Sequence, residues 1–302
     1  MPRQTWHGVL VATALPFRDD LSVDHDAYAE NLRALIEAGC DGVCPNGSLG
    51  EYQTLTPEER AAVVRTAVEA VGGDRVLAGV AAYGSLEAGR WAEQAAAAGA
   101  GAVMLLPPNA YRADDRSVRE HYRTVAGVGL PVVAYNNPID TKVDLVPELL
   151  ADLHAAGYIQ AVKEFSGDTR RAYRIRELAP DLDLLIGADD VVLELALAGA
   201  VGWISGYPNA IPYVCNELYH AATQGDYSTA LALYRELHPL LRWDSRTEFV
   251  QAIKLSMDLA GRRGGACRPP RVPLLPEQYE TIKTDTLRVL PLEEKARQQR
   301  EA

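Results

Sequence analysis

At 302 residues, with 48% hydrophobic and 24% charged side chains, the chain has the composition of a globular protein and a length suited to an α/β barrel. Its formal net charge of -11 argues against an extended surface for nucleic acid or anionic membrane, while leaving room for a local basic pocket. No apolar stretch approaches the ~20 residues that a membrane span needs. The N-terminal run Met1 to His7 has no apolar signal region, so the expected location is the cytoplasm.

Short apolar runs alternate with helical patterns along two-thirds of the chain. The predicted strands are Gly8–Leu15, Gly42–Pro45, Val76–Ala81, Ala102–Leu106, Val132–Tyr135, Ile159–Val162, Leu182–Ile186 and Val201–Ile204. Each is nearly continuous in apolar residues, as parallel strands buried on both faces are. Between them the periodicity predicts helices over Asp24–Ala38, from Thr56 onward, and over Ser85–Ala98, Asp115–Ala126, Pro147–Ala156, Asp168–Leu178 and Asp189–Ala198. Thr56-Pro57-Glu58-Glu59 has the form of a capping box, and Gly39 and Gly99 stand where helices stop. Eight such units with short connections predict a closed (β/α)8 barrel over residues 1–208. No Gly-x-Gly-x-x-Gly follows a strand, which counts against a dinucleotide-binding sheet.

Three further helical patterns, Val214–Gln224, Tyr227–Leu241 and Glu248–Ala260, predict a C-terminal helical subdomain and tail over residues 209–302. A Gly/Pro/Arg-rich loop, Gly261–Pro273, follows, and the charged stretch from Pro276 is expected to fray at its end. The four cysteines form no CxxC pair, and Cys40 and Cys44 are expected to be packed thiols. The six histidines form no His-x-x-x-His or Glu-x-x-His pair, so no metal site is expected.

One residue stands out of pattern. Lys163 follows the buried run Ile159–Val162, and burying an ammonium is costly unless it is paired or loses its proton. Either it reaches the strand end and pairs with Glu164, or it is a nucleophile of depressed pKa able to form a Schiff base. In a barrel the chemistry collects at the C-terminal ends of the strands. Strand two runs into Gly47-Ser48-Leu49-Gly50, whose backbone N–H groups suit a carboxylate, with Ser48 adding a hydroxyl. Strand five ends at Tyr135, which is either a barrel-filling aromatic or a proton relay facing Lys163. Strand seven ends at Gly187 and strand eight at Ile204.

These stretches together resemble the dihydrodipicolinate synthase/N-acetylneuraminate lyase family. The carrying motifs are Gly42-Val-Cys-Pro-Asn-Gly-Ser-Leu-Gly-Glu51, Tyr135-Asn-Asn-Pro138, Val162-Lys-Glu-Phe-Ser-Gly167, Gly187-Ala-Asp-Asp190 and Gly202-Trp-Ile-Ser205, and the resemblance runs from Gly8 to about Leu290. It implies a TIM barrel, a homotetramer built of dimers, and neither metal nor organic cofactor. It implies that Lys163 forms an imine with a 2-oxo acid, that Tyr135 relays protons, and that Gly47, Leu49 and Gly50 hold the substrate carboxylate beside Ser48.

Against the synthase pattern the chain departs in three places. Two adjacent threonines are replaced by Ser48 and Leu49. The position of an arginine that meets the second substrate's carboxylate is Asp140, with Lys142 two residues on. The tyrosine that enters a neighbouring subunit's site falls at Ala110, with Tyr111 next to it. An aspartate repels a carboxylate. The pattern therefore favours the family's dehydratase, deaminase or aldolase branches, such as a 1-pyrroline-4-hydroxy-2-carboxylate deaminase. The alternatives are 4-hydroxy-tetrahydrodipicolinate synthase, which condenses pyruvate with aspartate semialdehyde, and a non-catalytic barrel that binds a 2-oxo acid. A phosphosugar barrel would need an extra helix signal after Gly202–Gly206, which the sequence lacks.

Overall fold

A computed structural model of the chain describes residues 4–108 and 111–301. All eight predicted strands form: β1 (Gly8–Ala12), β2 (Gly42–Cys44), β3 (Leu77–Gly79), β4 (Ala102–Leu105), β5 (Val132–Asn136), β6 (Ala161–Glu164), β7 (Asp183–Ile186) and β8 (Gly202–Ser205). All pair in parallel, β8 returns to β1, and a bridge between Val43 and Val76 joins the two sheet edges. The result is a (β/α)8 barrel whose strands are buried almost throughout. Close approach of the strand ends depends on small residues. A Cβ on Gly42 would stand 2.8 Å from the Arg75 carbonyl oxygen, where the two edges meet.

Helices alternate with the strands: α1 (His25–Glu37), α2 (Pro57–Val71), α3 (Ser85–Ala98), α4 (Asp115–Ala126), α5 (Pro138–Thr141), α6 (Pro147–Ala155), α7 (Arg170–Leu178), α8 (Val192–Leu197) and α9 (Pro212–Gln224). The capping box at α2 is complete: Thr56 Oγ1 accepts from the Glu59 N–H, and Glu59 Oε2 accepts from the Thr56 N–H. Beyond α9 come α10 (Tyr227–Leu241), α11 (Phe249–Leu259) and α12 (Pro276–Glu301).

The structure corrects the sequence-based picture in three places. β6 is shifted two residues along, so Lys163 lies inside the strand and pairs in register with Tyr135. The one-turn helix α5 was not anticipated; Pro138 opens it and the Asn137 side chain accepts from the Asp140 N–H. The charged C-terminal stretch does not fray but continues as α12 to Glu301. The physical reason is a sparse buried stripe, Ile282, Thr286, Val289 and Ala296, at spacings that fall on one helix face. Glu293 adds a tie by accepting from the N–H groups of Tyr213 and Val214 at the start of α9.

One buried ion pair fastens these C-terminal helices to the barrel mouth. Lys254 on α11 and Glu51, just after the turn that follows β2, are 1% and 0% exposed and stand 2.8 Å apart. Lys254 also donates to the Ala266 carbonyl, and the other Glu51 oxygen accepts from the Arg268 N–H, with the Arg271 guanidinium at 3.5 Å. Removing one partner of such a pair strands a charge in the interior. Lys254→Met is therefore expected to lower the free energy of unfolding by about 3 kcal/mol, the lower end of the usual range because Arg271 remains near Glu51. Urea unfolding measures it, and a loss below about 1 kcal/mol would show that the pair contributes little.

Candidate active site

The mouth of the barrel at the C-terminal strand ends holds a cavity of about 190 Å³, lined by Ser48, Tyr135, Asn137, Ile139, Asp140, Phe165, Phe249 and the segment Asp244 to Thr247. Lys163 stands beside it. Its side chain is almost wholly buried, and Nζ lies 4.3 Å from the Tyr135 ring centroid and 5.9 Å from that of Phe165. Those two rings meet edge to face at 6.1 Å, forming an aromatic wall over the amine.

Pairing with Glu164 does not explain Lys163. The Glu164 carboxylate accepts from Asn136 Nδ2 at 3.0 and 3.2 Å and from the Ser166 N–H at 2.7 Å, and lies 3.4 Å from Arg171. Because side chains alternate along a strand, Glu164 and Lys163 leave β6 on opposite faces. Burial, opposed by the charges of Asp244, Cys44 and Asp189, lowers the Lys163 pKa from its ordinary 10.5. The neutral, nucleophilic form is thereby favoured.

Tyr135 behaves in the complementary sense. Burial first, then the charge of Asp244, push its phenol well above its ordinary 10, so it keeps its proton. Its oxygen accepts a long hydrogen bond, 3.4 Å, from Asn137 Nδ2, which also donates to Asp140 Oδ2 at 2.8 Å. Asp140 thus lines the cavity and orients, through Asn137, the phenol of Tyr135. Lys142 turns away: in a left-handed conformation at the end of α5, it directs its ammonium back to the Ile139 carbonyl.

The loop after β2 is a 3-10 turn, Ser48–Gly50. Ser48 faces the cavity; Leu49 is buried, its Cδ2 standing 3.4 Å from where a Cβ on Gly206 would lie. The Gly50 N–H closes the turn onto the Gly47 carbonyl. Gly187 follows β7 where any side chain would run into the Glu164 carbonyl and, at 3.1 Å, the Lys163 Cγ. Its bareness lets the lysine stem pass. Ile204 is buried within β8, paired with Leu10 of β1. Tyr111 is 60% exposed and away from the cavity-lining residues, while Ala110 lies outside the described residues.

Asp244 and Arg246 were missed from sequence, and Asp189 stood within a motif but was given no place in the site. Asp189, fully buried, accepts from Trp203 Nε1 at 2.9 Å and from the N–H groups of Gly206 and Tyr207 at 3.3 Å; burial raises its pKa to about 6. Asp244 and Arg246 reach the mouth from the segment joining α10 to α11, about 80 positions along the chain from Lys163. Burial, then repulsion by Asp189, hold the Asp244 carboxyl well above the usual range. The only signal for Asp244 and Arg246 was a polar Trp-Asp-Ser-Arg run between two apolar helices. Among the described residues no three His, Cys, Asp or Glu side chains converge as metal ligands, and no helix is long and apolar enough to cross a membrane.

Comparison with known proteins agrees with this geometry. A family model described as the dihydrodipicolinate synthetase family matches residues 5–288. A 4-hydroxy-tetrahydrodipicolinate synthase of Methanothrix thermoacetophila is 36% identical over 279 residues, covering 91% of this chain and 93% of that protein. The structure of a 4-hydroxy-tetrahydrodipicolinate synthase from Methylacidiphilum fumariolicum superposes with a TM-score of 0.91 at 27% identity, covering 97% of this chain and 98% of that one. A prophage protein from E. coli K12, solved in complex with pyruvate and described as a member of the dihydrodipicolinic acid synthase family, superposes with a TM-score of 0.86 at 28% identity, covering 92% and 96%.

The lowered pKa of Lys163 has a measurable sign. An amine nucleophile works only when deprotonated, so borohydride trapping of pyruvate should accelerate with rising pH and level off below the ordinary lysine value of 10.5. Trapping that is still climbing at pH 10.5 would mean that burial does not shift the amine.

Proposed function

The chain belongs to the dihydrodipicolinate synthetase family, and from that premise we propose that it acts on a 2-oxo acid, or its cyclic imine, through a Schiff base on Lys163. The observation that carries this is the buried lysine packed on the Tyr135 ring at the cavity's edge. Lys163 Nζ attacks C2 of the substrate, and Tyr135 donates its proton to the oxygen or nitrogen that leaves C2 and recovers one from the Lys163 nitrogen as the imine forms. Ser48 meets the substrate carboxylate, together with main-chain N–H groups around Gly47 and Leu49. No metal or organic cofactor enters this chemistry.

Within the family we favour a dehydratase or deaminase, with 1-pyrroline-4-hydroxy-2-carboxylate as the specific candidate. Asp140 supports this choice: a carboxylate in the cavity welcomes a substrate hydroxyl and repels a second carboxylate. A second assignment, 4-hydroxy-tetrahydrodipicolinate synthase, is favoured by Arg246, a cation lining the same cavity, and by the names of the relatives. The deciding assay compares turnover of pyruvate plus aspartate semialdehyde with that of 1-pyrroline-4-hydroxy-2-carboxylate and other 4-hydroxy 2-oxo acids. On the dehydratase/deaminase assignment the synthase reaction is at least about a hundredfold less efficient, equivalent to roughly 3 kcal/mol. Asp140→Arg then raises it. A synthase kcat/KM near about 10⁴ M⁻¹s⁻¹, with Arg246→Ala raising KM for the semialdehyde, would establish the second assignment instead.

We further propose that the protein works as a homotetramer. The support is family membership and the segment from Pro107 to Asp114, longer than a simple strand-to-helix turn and bearing the exposed Tyr111. Tyr135→Phe should lower kcat by about 10²- to 10⁴-fold with little change in KM, the mark of a lost proton donor. An unchanged kcat would remove Tyr135 from the slow step.

A further inference from the structure

The turn Arg242–Ser245 joins α10 to α11 and overhangs the ends of β7 and β8. It is fixed on both sides of Asp244. Trp243 is buried and its Nε1 donates to Asp285 of α12 at 3.4 Å; Ser245 Oγ donates to Asp190 Oδ1 at 3.0 Å. Held so, Asp244 faces the cavity that Tyr135, Ser48 and Phe165 line. One carboxylate oxygen lies 3.0 Å from where a Cβ on Gly206 would stand, so the missing side chain at 206 leaves it room. When ionised, Asp244 favours the ammonium form of Lys163, as Cys44 and Asp189 do.

An imine on Lys163 places C3 of the bound 2-oxo acid one bond beyond the carbon that Nζ holds. A base for the C3 proton must therefore sit in this corner of the cavity. Asp189 is unsuited, because its two oxygens are occupied by three N–H donors. Asp140 is held by Asn137 at 2.8 Å. Tyr135 keeps its proton, and the Ser48 hydroxyl is too weak a base. Glu164 is on the other face of β6.

We propose that Asp244 is the catalytic base that removes the C3 proton of the Lys163 imine. The positive charge of the iminium, like that of Lys163 before it, opposes the effect of burial on Asp244 and favours its carboxylate form. The C3–H bond breaks, its proton passes to that carboxylate, and its electron pair forms the C2–C3 double bond of the enamine as the iminium nitrogen is neutralised. With a 4-hydroxy substrate the enamine returns that pair, C3–C4 becomes the double bond, C4–O breaks, and the oxygen takes the proton from Asp244 to leave as water. No oxidant or reductant is needed. With pyruvate, which has no leaving group, the step is reversible and appears only as exchange of methyl hydrogens with solvent. This rests on the Schiff base at Lys163 but on neither substrate assignment.

The test uses pyruvate in D2O with two readouts, loss of the methyl signal by proton NMR and the borohydride-trapped adduct by intact mass. Wild type should trap pyruvate and exchange its methyl hydrogens. Asp244→Asn should trap it as completely while exchanging at least about a hundredfold more slowly, and Asp244→Glu should recover part of the rate. The trapped adduct doubles as the folding control. Asp244→Asn that exchanges within about threefold of wild type overturns the proposal. So does loss of trapping in both Asp244→Asn and Asp244→Ser, since Asp244 would then serve imine formation. A wild-type protein that traps nothing overturns the Schiff-base assignment itself, a distinguishable result.

Discussion

The mouth of this barrel depends on an ion pair that has no chemistry of its own. Glu51 ends the glycine turn after β2, and Lys254 lies on α11 in the C-terminal helices. Two unlike charges taken so completely out of water must be held together, because separating them leaves each without hydration. That constraint fixes the turn bearing Ser48 and the helix preceded by Asp244 and Arg246 in one frame. The Arg268 main chain and the Arg271 guanidinium close on the same Glu51 carboxylate, so the Gly261–Pro273 loop is drawn into that frame.

Within the frame, desolvation sets the protonation of the groups around the cavity. The amine of Lys163 is pushed down, while the carboxyls of Asp189 and Asp244 and the phenol of Tyr135 are pushed up. Each shift moves toward the neutral form, which is what a poorly hydrated pocket favours. A mouth with a nucleophilic amine, a retained phenolic proton and a carboxylic group near neutrality can pass protons at ordinary pH. Charge on Asp244 opposes the loss of the proton from Lys163, and charge on Lys163 opposes the protonation of Asp244, so a change at either shifts the other.

The labour is divided by secondary structure. Strand register places Lys163 opposite Tyr135 on adjacent strands, a relation that the backbone ladder enforces with little freedom. Other charged groups lining the cavity lie outside the strands: Asp140 on α5, and Asp244 and Arg246 on the segment between α10 and α11. Such segments can change sequence without disturbing the barrel, so the lining of the cavity can vary around an unchanged Lys163–Tyr135 pair.

The amino-acid sequence by itself determined the barrel. Eight apolar runs separated by helical periodicity, the capping box at Thr56 and the glycines closing α1 and α3 are local signals; each run yields a strand, and the cap and the helix ends fall where the sequence places them. The out-of-pattern Lys163 and the strand-end Tyr135 were legible for the same reason: a polar group against an apolar run is a local anomaly. The shift of β6, the helix α5 and the persistence of α12 to Glu301 were not legible. They follow from register with β5, from an Asn137 cap and from a sparse buried stripe on other helices. Only the tertiary structure decided that Glu164 turns to Arg171 and leaves Lys163 alone, that Lys142 folds back on its own turn, and that Asp244 and Arg246 arrive from the C-terminal helices. Charge partners are chosen by proximity in space, and proximity between residues 80 positions apart is written in packing, not in spacing along the chain.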